Sequence, residues 1–269
     1  MQEIQGQLFT KATLLADLRA LGVQEGMTLI AHSSFKALGS YIAGGPVAVI
    51  LAIEEALGST GTLVMPTHSN DLSDPSEWQN PPVSPEWWED IRDQMPPYDP
   101  HLTPLWYMGI IPELFRKQEG AKRSGHPQLS FTARGPKSGR MIEGHALAYG
   151  LGERSPLARI YDDGGWVLLL GVGHENNTSI HLAEYRAVFP GKKESLNKAP
   201  MLVDGQKQWI EFPDLALESD DFEAIGEQFE ADMKLGRRGK VANAQAILVP
   251  QRELVDYAVG WLESNRRPK

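Results

Sequence analysis

Apolar residues recur at Leu14, Leu15, Leu18 and Leu21, the spacing of one helical face, and the pattern stops at Gly22. The stretch from Thr13 is therefore predicted to be a helix. Met27-Thr28-Leu29-Ile30-Ala31-His32 follows as a short apolar run with the length of a buried strand. It gives way to Ser33-Ser34 and a loop containing Gly39, Gly44 and Gly45. Pro46 stands where the first turn of a helix tolerates proline, and Val47 to Leu57 continues that helix. Thr60 to Pro66 reads as a second strand. Strand, helix and strand joined by short loops predict an α/β layered fold.

This rhythm breaks between residues 67 and 107, which are rich in proline, tryptophan and acids and have little periodicity. A loop of that length in a compact domain is usually functional or disordered. Its aromatic content argues against disorder, so a structured insertion lining a site is expected. Beyond it, the pattern predicts a helix from Gly109 to Lys117, a short strand from Leu129 to Ala133 and a helix from Lys137 to His145. A core strand follows at Val167 to Gly171, then a polar turn from His174 to Thr178 and a helix from about Ser179 to Val188. Pro200 to Phe212 reads as a hairpin around Asp204-Gly205. Asp220 to Leu235 is an amphipathic helix, Ala246 to Pro250 a last strand and Gln251 to Glu263 a last helix. No internal repeat or low-complexity tract is present. Residues 1–269 are expected to form one domain carrying the irregular insertion.

Composition narrows the chemistry. Hydrophobic residues make up 41% of the 269 and charged residues 23%, ordinary for a globular protein. The absence of cysteine excludes disulfides, cysteine-ligated zinc, iron–sulfur clusters and a cysteine nucleophile. Met1 to Gln7 has neither a basic start nor an apolar run, unlike a signal peptide. The apolar run from Trp166 to Gly173 is too short to span a bilayer. A cytoplasmic protein with no membrane partner is the expectation. The net charge of −9 argues against nucleic acid. It fits a cationic ligand drawn to an acidic cleft, and equally the mild acidity of many enzymes.

Three segments carry chemistry. His181 and Glu184, in Asn177-Thr178-Ser179-Ile180-His181-Leu182-Ala183-Glu184, are spaced to share a helix face just beyond a core strand. A carboxylate beside an imidazole orients it and strengthens it as a base for an amine proton. By spacing alone, a surface His–Glu pair without a role fits as well. His32-Ser33-Ser34, at a strand end beside a glycine loop, can bind an anion or a polar chain or simply shape a turn. As a hydrolase nucleophile, Ser33 or Ser34 lacks the G-x-S-x-G elbow. Thr67 to Trp78 offers His68, Asp71 and Trp78, side chains that can hold an ammonium group by charge or aromatic face. The seven histidines form no H-E-x-x-H pair, and no metal is expected.

Read together, these and further blocks resemble the aminoglycoside 3-N-acetyltransferase family, over roughly residues 10 to 262. The blocks include His32-Ser33-Ser34-Phe35-Lys36-Ala37-Leu38-Gly39, Gly61 to His68, Asp74 to Trp78, Trp87-Trp88, Arg123 to Pro127, Ser130-Phe131, Gly152 to Leu157 and Leu170 to His174. They lead into Asn177 to Glu184. The resemblance implies a three-layer α/β/α fold with a mixed central sheet, acetyl-CoA as donor and an aminoglycoside or related polycationic amino-sugar as acceptor. It implies His181 as catalytic base supported by Glu184. His32, Ser33, Ser34, Phe35, Lys36, Ala37 and Leu38 are expected along the pantetheine arm, with Asn177 and Thr178 near the thioester. Asp71, with His68 and Trp78, is expected at the amino-sugar. A homodimer is left open. The competing readings are an N-acyltransferase of this family acting on another small amine, a serine hydrolase and a non-catalytic amine-binding protein.

Overall fold

The computed structural model describes residues 6–39 and 41–268. β1 (Leu8–Phe9) leads into α1 (Lys11–Leu21), which starts slightly before the apolar pattern does. The reason is a reciprocal cap: Thr10 Oγ1 accepts from Thr13 N at 3.3 Å and Thr13 Oγ1 accepts from Thr10 N at 2.9 Å. Gly22, at φ +110°, closes the helix in the left-handed region.

Among the described residues seven strands form the main sheet. β2 (Thr28–Ser33) lies inside it, parallel to β4 (Thr62–Pro66) on one side and to β7 (Trp166–Leu170) on the other. β4 continues antiparallel to β6 (Phe131–Arg134) and then β5 (Lys122–Arg123). β7 continues antiparallel to β11 (Ala244–Pro250) and then β10 (Arg237–Val241). The sheet is thus mixed, as expected. β1 pairs with β3 (Tyr41–Ile42), and β8 (Glu194–Val203) pairs with β9 (Gln206–Leu215) as a separate long hairpin.

Alternation along the inner strands sorts their side chains into two cores. Leu29, Ala31, Leu63, Met65, Leu168 and Leu170 face one, with α1, α2 (Gly45–Leu57) and α4 (Ile110–Phe115) packed on them. Ile30, Val64, Val167, Leu169, Ile247 and Val249 face the other. There they meet Met141 of α5 (Ser138–Ile142), Leu157 of α6 (Pro156–Asp162), Leu182 of α7 (His181–Arg186), Phe229 of α8 (Phe222–Met233) and Leu254 of α9 (Gln251–Asn265). Helices therefore cover both faces of the sheet, giving three layers. Leu168 and Leu169 are each fully buried on opposite faces.

The longer predicted elements are present within a few residues. α3 (Trp88–Gln94), α6, β5 and β10 were not anticipated. The two helices span seven residues each, too short for a visible period, and β10 is the polar edge Arg237-Arg238-Gly239-Lys240-Val241. The hairpin is longer than Pro200 to Phe212 because its polar strands extend the ladder outward from the Asp204-Gly205 turn. Both turn residues have positive φ, 51° and 77°.

Gly226 shows how tightly the second layer closes over the site. A Cβ on this α8 residue would lie 1.9 Å from His174 Cγ, and the His174 ring is fully buried. Glycine to alanine inside a helix ordinarily stabilises by about 0.5–1 kcal/mol. Here Gly226→Ala is expected to destabilise by about 1–3 kcal/mol through overpacking, read as a lower urea midpoint. A variant as stable as the parent would show that α8 does not press on His174.

Candidate active site

The chain runs from β2 through α2, on one face, to β4; it reaches β7, on the other side of β2, through α6 on the opposite face. Such a reversal opens a crevice outside the carboxyl ends of the strands. Three of the segments singled out above end there: His32-Ser33 at the end of β2, Thr67-His68 after β4, and Gly171 to Thr178 after β7.

The turn before α7 is fixed by a chain of polar contacts. Asn177 Oδ1 accepts from Ser179 N at 3.2 Å, and Asn177 Nδ2 meets His174 Nδ1 at 3.3 Å. His174 Nε2 meets Glu230 Oε1 of α8 at 3.0 Å, and Gln251 Nε2 of α9 donates to Ser179 Oγ at 3.1 Å. A proton on His174 Nε2 satisfies both of its contacts. The turn is thereby held to two helices, and it delivers His181 as the first residue of α7.

Glu184 lies one turn later. His181 Nδ1 is 2.5 Å from Glu184 Oε2, and the Phe222 ring stands edge-on to the imidazole at 4.7 Å. Glu184 is 2% exposed and His181 retains 18%. The other carboxylate oxygen, Oε1, accepts from Glu218 N at 3.1 Å and from Arg266 Nη1. With Nδ1 donating to the carboxylate, Nε2 is the imidazole nitrogen left for a substrate.

Two further histidines share the crevice. His32 and His68 are buried, and the Nε2 of each is enclosed without a hydrogen-bond partner. Burial, and secondarily the proximity of His181, pushes His32 down to about 3 and His68 well below the usual imidazole range. Both are neutral near pH 7. Ser33 Oγ and Asp71 Oδ1 are enclosed and unpartnered as well, and burial raises the Asp71 carboxyl above its ordinary value. Unpaired buried polar atoms are costly in a native protein and commonly mark a place a ligand completes.

Two spaces meet this cluster. A cleft of about 1050 Å³ runs along Ser33, Ser34, Phe35 and Lys36 and faces Tyr107, Val172 and Asn176. A cavity of about 450 Å³ shares Ser33, Tyr107, Val172 and Asn176 with it and adds His32, Pro66 and Thr178. A separate pocket of about 620 Å³ is lined by Asn70, Asp71, Ser73, Trp78 and Trp106. Trp106 and Tyr107 stack edge to face at 4.9 Å, one lining each side, so this aromatic pair divides the two spaces. Trp106 N donates to His68 O at 2.9 Å, which ties the divider to the end of β4.

Of the anticipated residues, Ser33, Ser34, Phe35 and Lys36 line the cleft, His32 and Thr178 the inner cavity, and Asp71 and Trp78 the separate pocket. Leu38 is fully buried in the first core and does not reach the cleft; it is an apolar side chain under the 35–38 turn. Ala37 is exposed and lies beside Gly171. Asn177 is fully buried as the cap of the turn, and Asn176 takes the position on the cleft wall. In the 67–107 insertion, Asp74 is engaged by Arg92 and Asp99 caps the 101–102 backbone, so neither is a free carboxylate. Sequence reasoning missed Asn176, Trp106, Tyr107 and Arg266. The signal for the aromatic pair was its position at the end of the irregular stretch; nothing near Arg266 pointed to Glu184.

Among the described residues no group of three or more His, Cys, Asp or Glu side chains could hold a metal ion. Among the described residues no helix is long and apolar enough to cross a membrane. The chain matches the model of the aminoglycoside 3-N-acetyltransferase family over residues 30–263. It is 43% identical to the prophage-derived aminoglycoside N(3')-acetyltransferase-like protein YokD of Bacillus subtilis, over 95% of this chain and 93% of that one. The crystal structure of YokD superposes with a TM-score of 0.94, covering 97% and 96% of the two chains. Aminoglycoside N(3)-acetyltransferase VII of Streptomyces paromomycinus is 37% identical over 94% of this chain and 91% of its own. AAC-IIIb, solved as a binary complex with CoASH, superposes with a TM-score of 0.85 at 31% identity, over 97% of this chain and all of that one. The mixed sheet, the crevice at its reversal and these likenesses along nearly the whole sequence establish that the chain belongs to the aminoglycoside 3-N-acetyltransferase family.

Proposed function

We propose that the protein transfers the acetyl group of acetyl-CoA to the 3-amino group of an aminoglycoside by direct attack, with His181 as general base. One observation carries this reading: Glu184 engages Nδ1 at 2.5 Å and leaves Nε2 as the free basic nitrogen at the crevice. An alkylammonium is not nucleophilic near pH 7. His181 Nε2 takes a proton from the incoming nitrogen, and Glu184 stabilises the imidazolium. The free amine bonds to the thioester carbon, the C–S bond breaks, the imidazolium returns its proton to the departing thiolate, and the surplus proton on the new amide nitrogen is lost to solvent. No covalent enzyme intermediate is needed, in keeping with the lack of cysteine and of a serine elbow.

The donor fits the cleft along Ser33 to Lys36. Ser33 Oγ lacks a partner there, and the exposed Lys36 on the cleft wall supplies a cation for phosphate. Thr178 and the neutral His32 line the inner cavity, where hydroxyl or N–H groups stabilise a developing oxyanion. The acceptor fits the pocket beside Asp71, Trp78 and Trp106, with an unpartnered carboxylate oxygen for an ammonium group and aromatic walls for the sugar. The two ligands thus enter on opposite sides of the Trp106–Tyr107 divider. The whole chain acts as one acetyltransferase domain in the cytoplasm.

Replacing the base tests the assignment most directly. His181→Ala is expected to lower kcat by about 10²-fold or more, measured by thiol release from acetyl-CoA with a panel of aminoglycosides. A folded variant with near-parental turnover would remove His181 from the mechanism.

Acceptor binding is expected to be electrostatic. Aminoglycoside affinity should weaken as salt rises, since the Debye length falls from about 10 Å at 0.1 M to about 3 Å at 1 M. Asp71→Asn should weaken aminoglycoside binding and spare CoA binding. Because burial raises the Asp71 carboxyl, affinity should begin to fall at a higher pH than an ordinary carboxylate would produce, as the group gains a proton. Calorimetric titration of each ligand checks all three. Salt-independent binding, or an unaffected Asp71→Asn variant, would favour a small monoamine as acceptor.

A further inference from the structure

Arg266 stands just beyond α9, 82 residues from Glu184 in sequence, and is 8% exposed. Its Nη1 donates to Glu184 Oε1. Nε and Nη2 hold the two oxygens of Asp221 at 2.8 and 2.5 Å, and Nη2 also donates to Glu218 O at 3.0 Å. The Phe189 ring lies 5.1 Å from the guanidinium carbon. Asp221 immediately precedes α8, so one planar side chain joins the end of α9, the start of α8 and the carboxylate of α7. A guanidinium fork gripping a carboxylate at both oxygens has a fixed orientation, and whatever else it touches inherits that orientation.

We propose that Arg266 is the positioning residue of the His181–Glu184 pair, holding Oε1 of Glu184 so that Oε2 alone faces His181 Nδ1. The proposal rests on the reading of His181 as the base. Glu184 is too deeply buried to remain an anion uncompensated. With Arg266 and Glu218 N on Oε1, the carboxylate cannot swing. Without Arg266 it is free to rotate away from the imidazole, and the ring loses its orienting partner.

The charge of Arg266 adds a pH signature. The groups around His181 and Glu184 are His32 from β2, His68 after β4, Asp214 of β9 with Tyr185 of α7 donating to it, Lys192 before β8, and Asp221 before α8. Burial keeps both flanking histidines neutral. Lys193 and Arg267 line the same pocket as Glu184 and Lys192, so removing the arginine takes away the cation hydrogen-bonded to the Glu184 carboxylate. Loss of a nearby cation makes proton uptake by the pair easier, so the acid limb of the kcat/KM profile moves to higher pH.

The experiment compares Arg266→Gln and Arg266→Lys with the parent, following the pH dependence of kcat/KM and, by carbon NMR, the titration of the His181 ring. The glutamine variant is expected to shift both the ring titration and the acid limb upward by about one pH unit. Its kcat should fall roughly tenfold, with KM for acetyl-CoA little changed, the size of a lost orienting interaction. The lysine variant keeps the charge without the fork: its limb stays near the parental position and kcat is partly restored. If the glutamine variant does not fold, Asp221→Asn carries the test, and the loss of a negative charge behind Arg266 should move the limb to lower pH. A ring titration that stays put in the folded variant overturns the proposal, because a merely structural arginine lowers the active fraction and nothing else. A ring titration that moves while the activity limb does not would overturn the reading of His181 as base and leave the positioning role standing.

Discussion

Glu184 imposes the constraint around which this end of the molecule is arranged. A carboxylate at 2% exposure is tolerable only when both of its oxygens are satisfied. One oxygen takes His181 Nδ1, and the other takes Arg266 and the Glu218 amide. Those partners come from α7, from the segment after β9 and from the chain beyond α9. Compensating one charge thus brings three remote stretches together, and it fixes which imidazole nitrogen is free. The Phe222 ring stands edge-on to the imidazole and limits its freedom to turn.

The irregular 67–107 stretch is long, yet it is held like a structural element. Arg123 donates to Thr67 O at 2.8 Å, to Thr103 O at 2.6 Å and to Ser130 Oγ at 2.9 Å, binding both ends of the stretch to the sheet edge. Tyr98 Oη donates to Ser124 O at 2.7 Å, and Gln128 Nε2 joins Leu72 O to Lys198 O on the hairpin. These contacts stand in for the backbone ladder that the stretch lacks. They carry Trp106 and Tyr107 to the crevice, where Tyr107 holds φ +55°, a conformation uncommon for a bulky residue, with its ring largely exposed.

Electrostatics divide the labour within the crevice. Burial keeps His32 and His68 neutral, so neither opposes the approach of a cationic amine. Asp71, unpartnered on one oxygen, lines the pocket with Trp78 and Trp106, and Lys36 lines the cleft with Ser33 to Phe35. A net charge of −9 suits a polycation in the bulk; on the proposed function, an anionic donor relies on the local cation.

Local pattern determined much of this protein. The apolar periods of α1, α2, α8 and α9, the short apolar runs of β2, β4, β7 and β11, and the Asp204-Gly205 turn were legible because each is a property of neighbouring residues. So was the family, through ordered blocks from His32 to Glu184, and the His181–Glu184 spacing, which one helical turn converts directly into contact. Tertiary structure decided the rest. That Arg266 meets Glu184, that Leu38 points into the core, that Asn176 and not Asn177 faces the cleft, and that Trp106 and Tyr107 divide two spaces all depend on where distant segments pack. Sequence spacing carries information over a turn or a strand, about the reach of one side chain. Contacts across 82 residues are set by how whole layers close over a buried charge, and no local period encodes that.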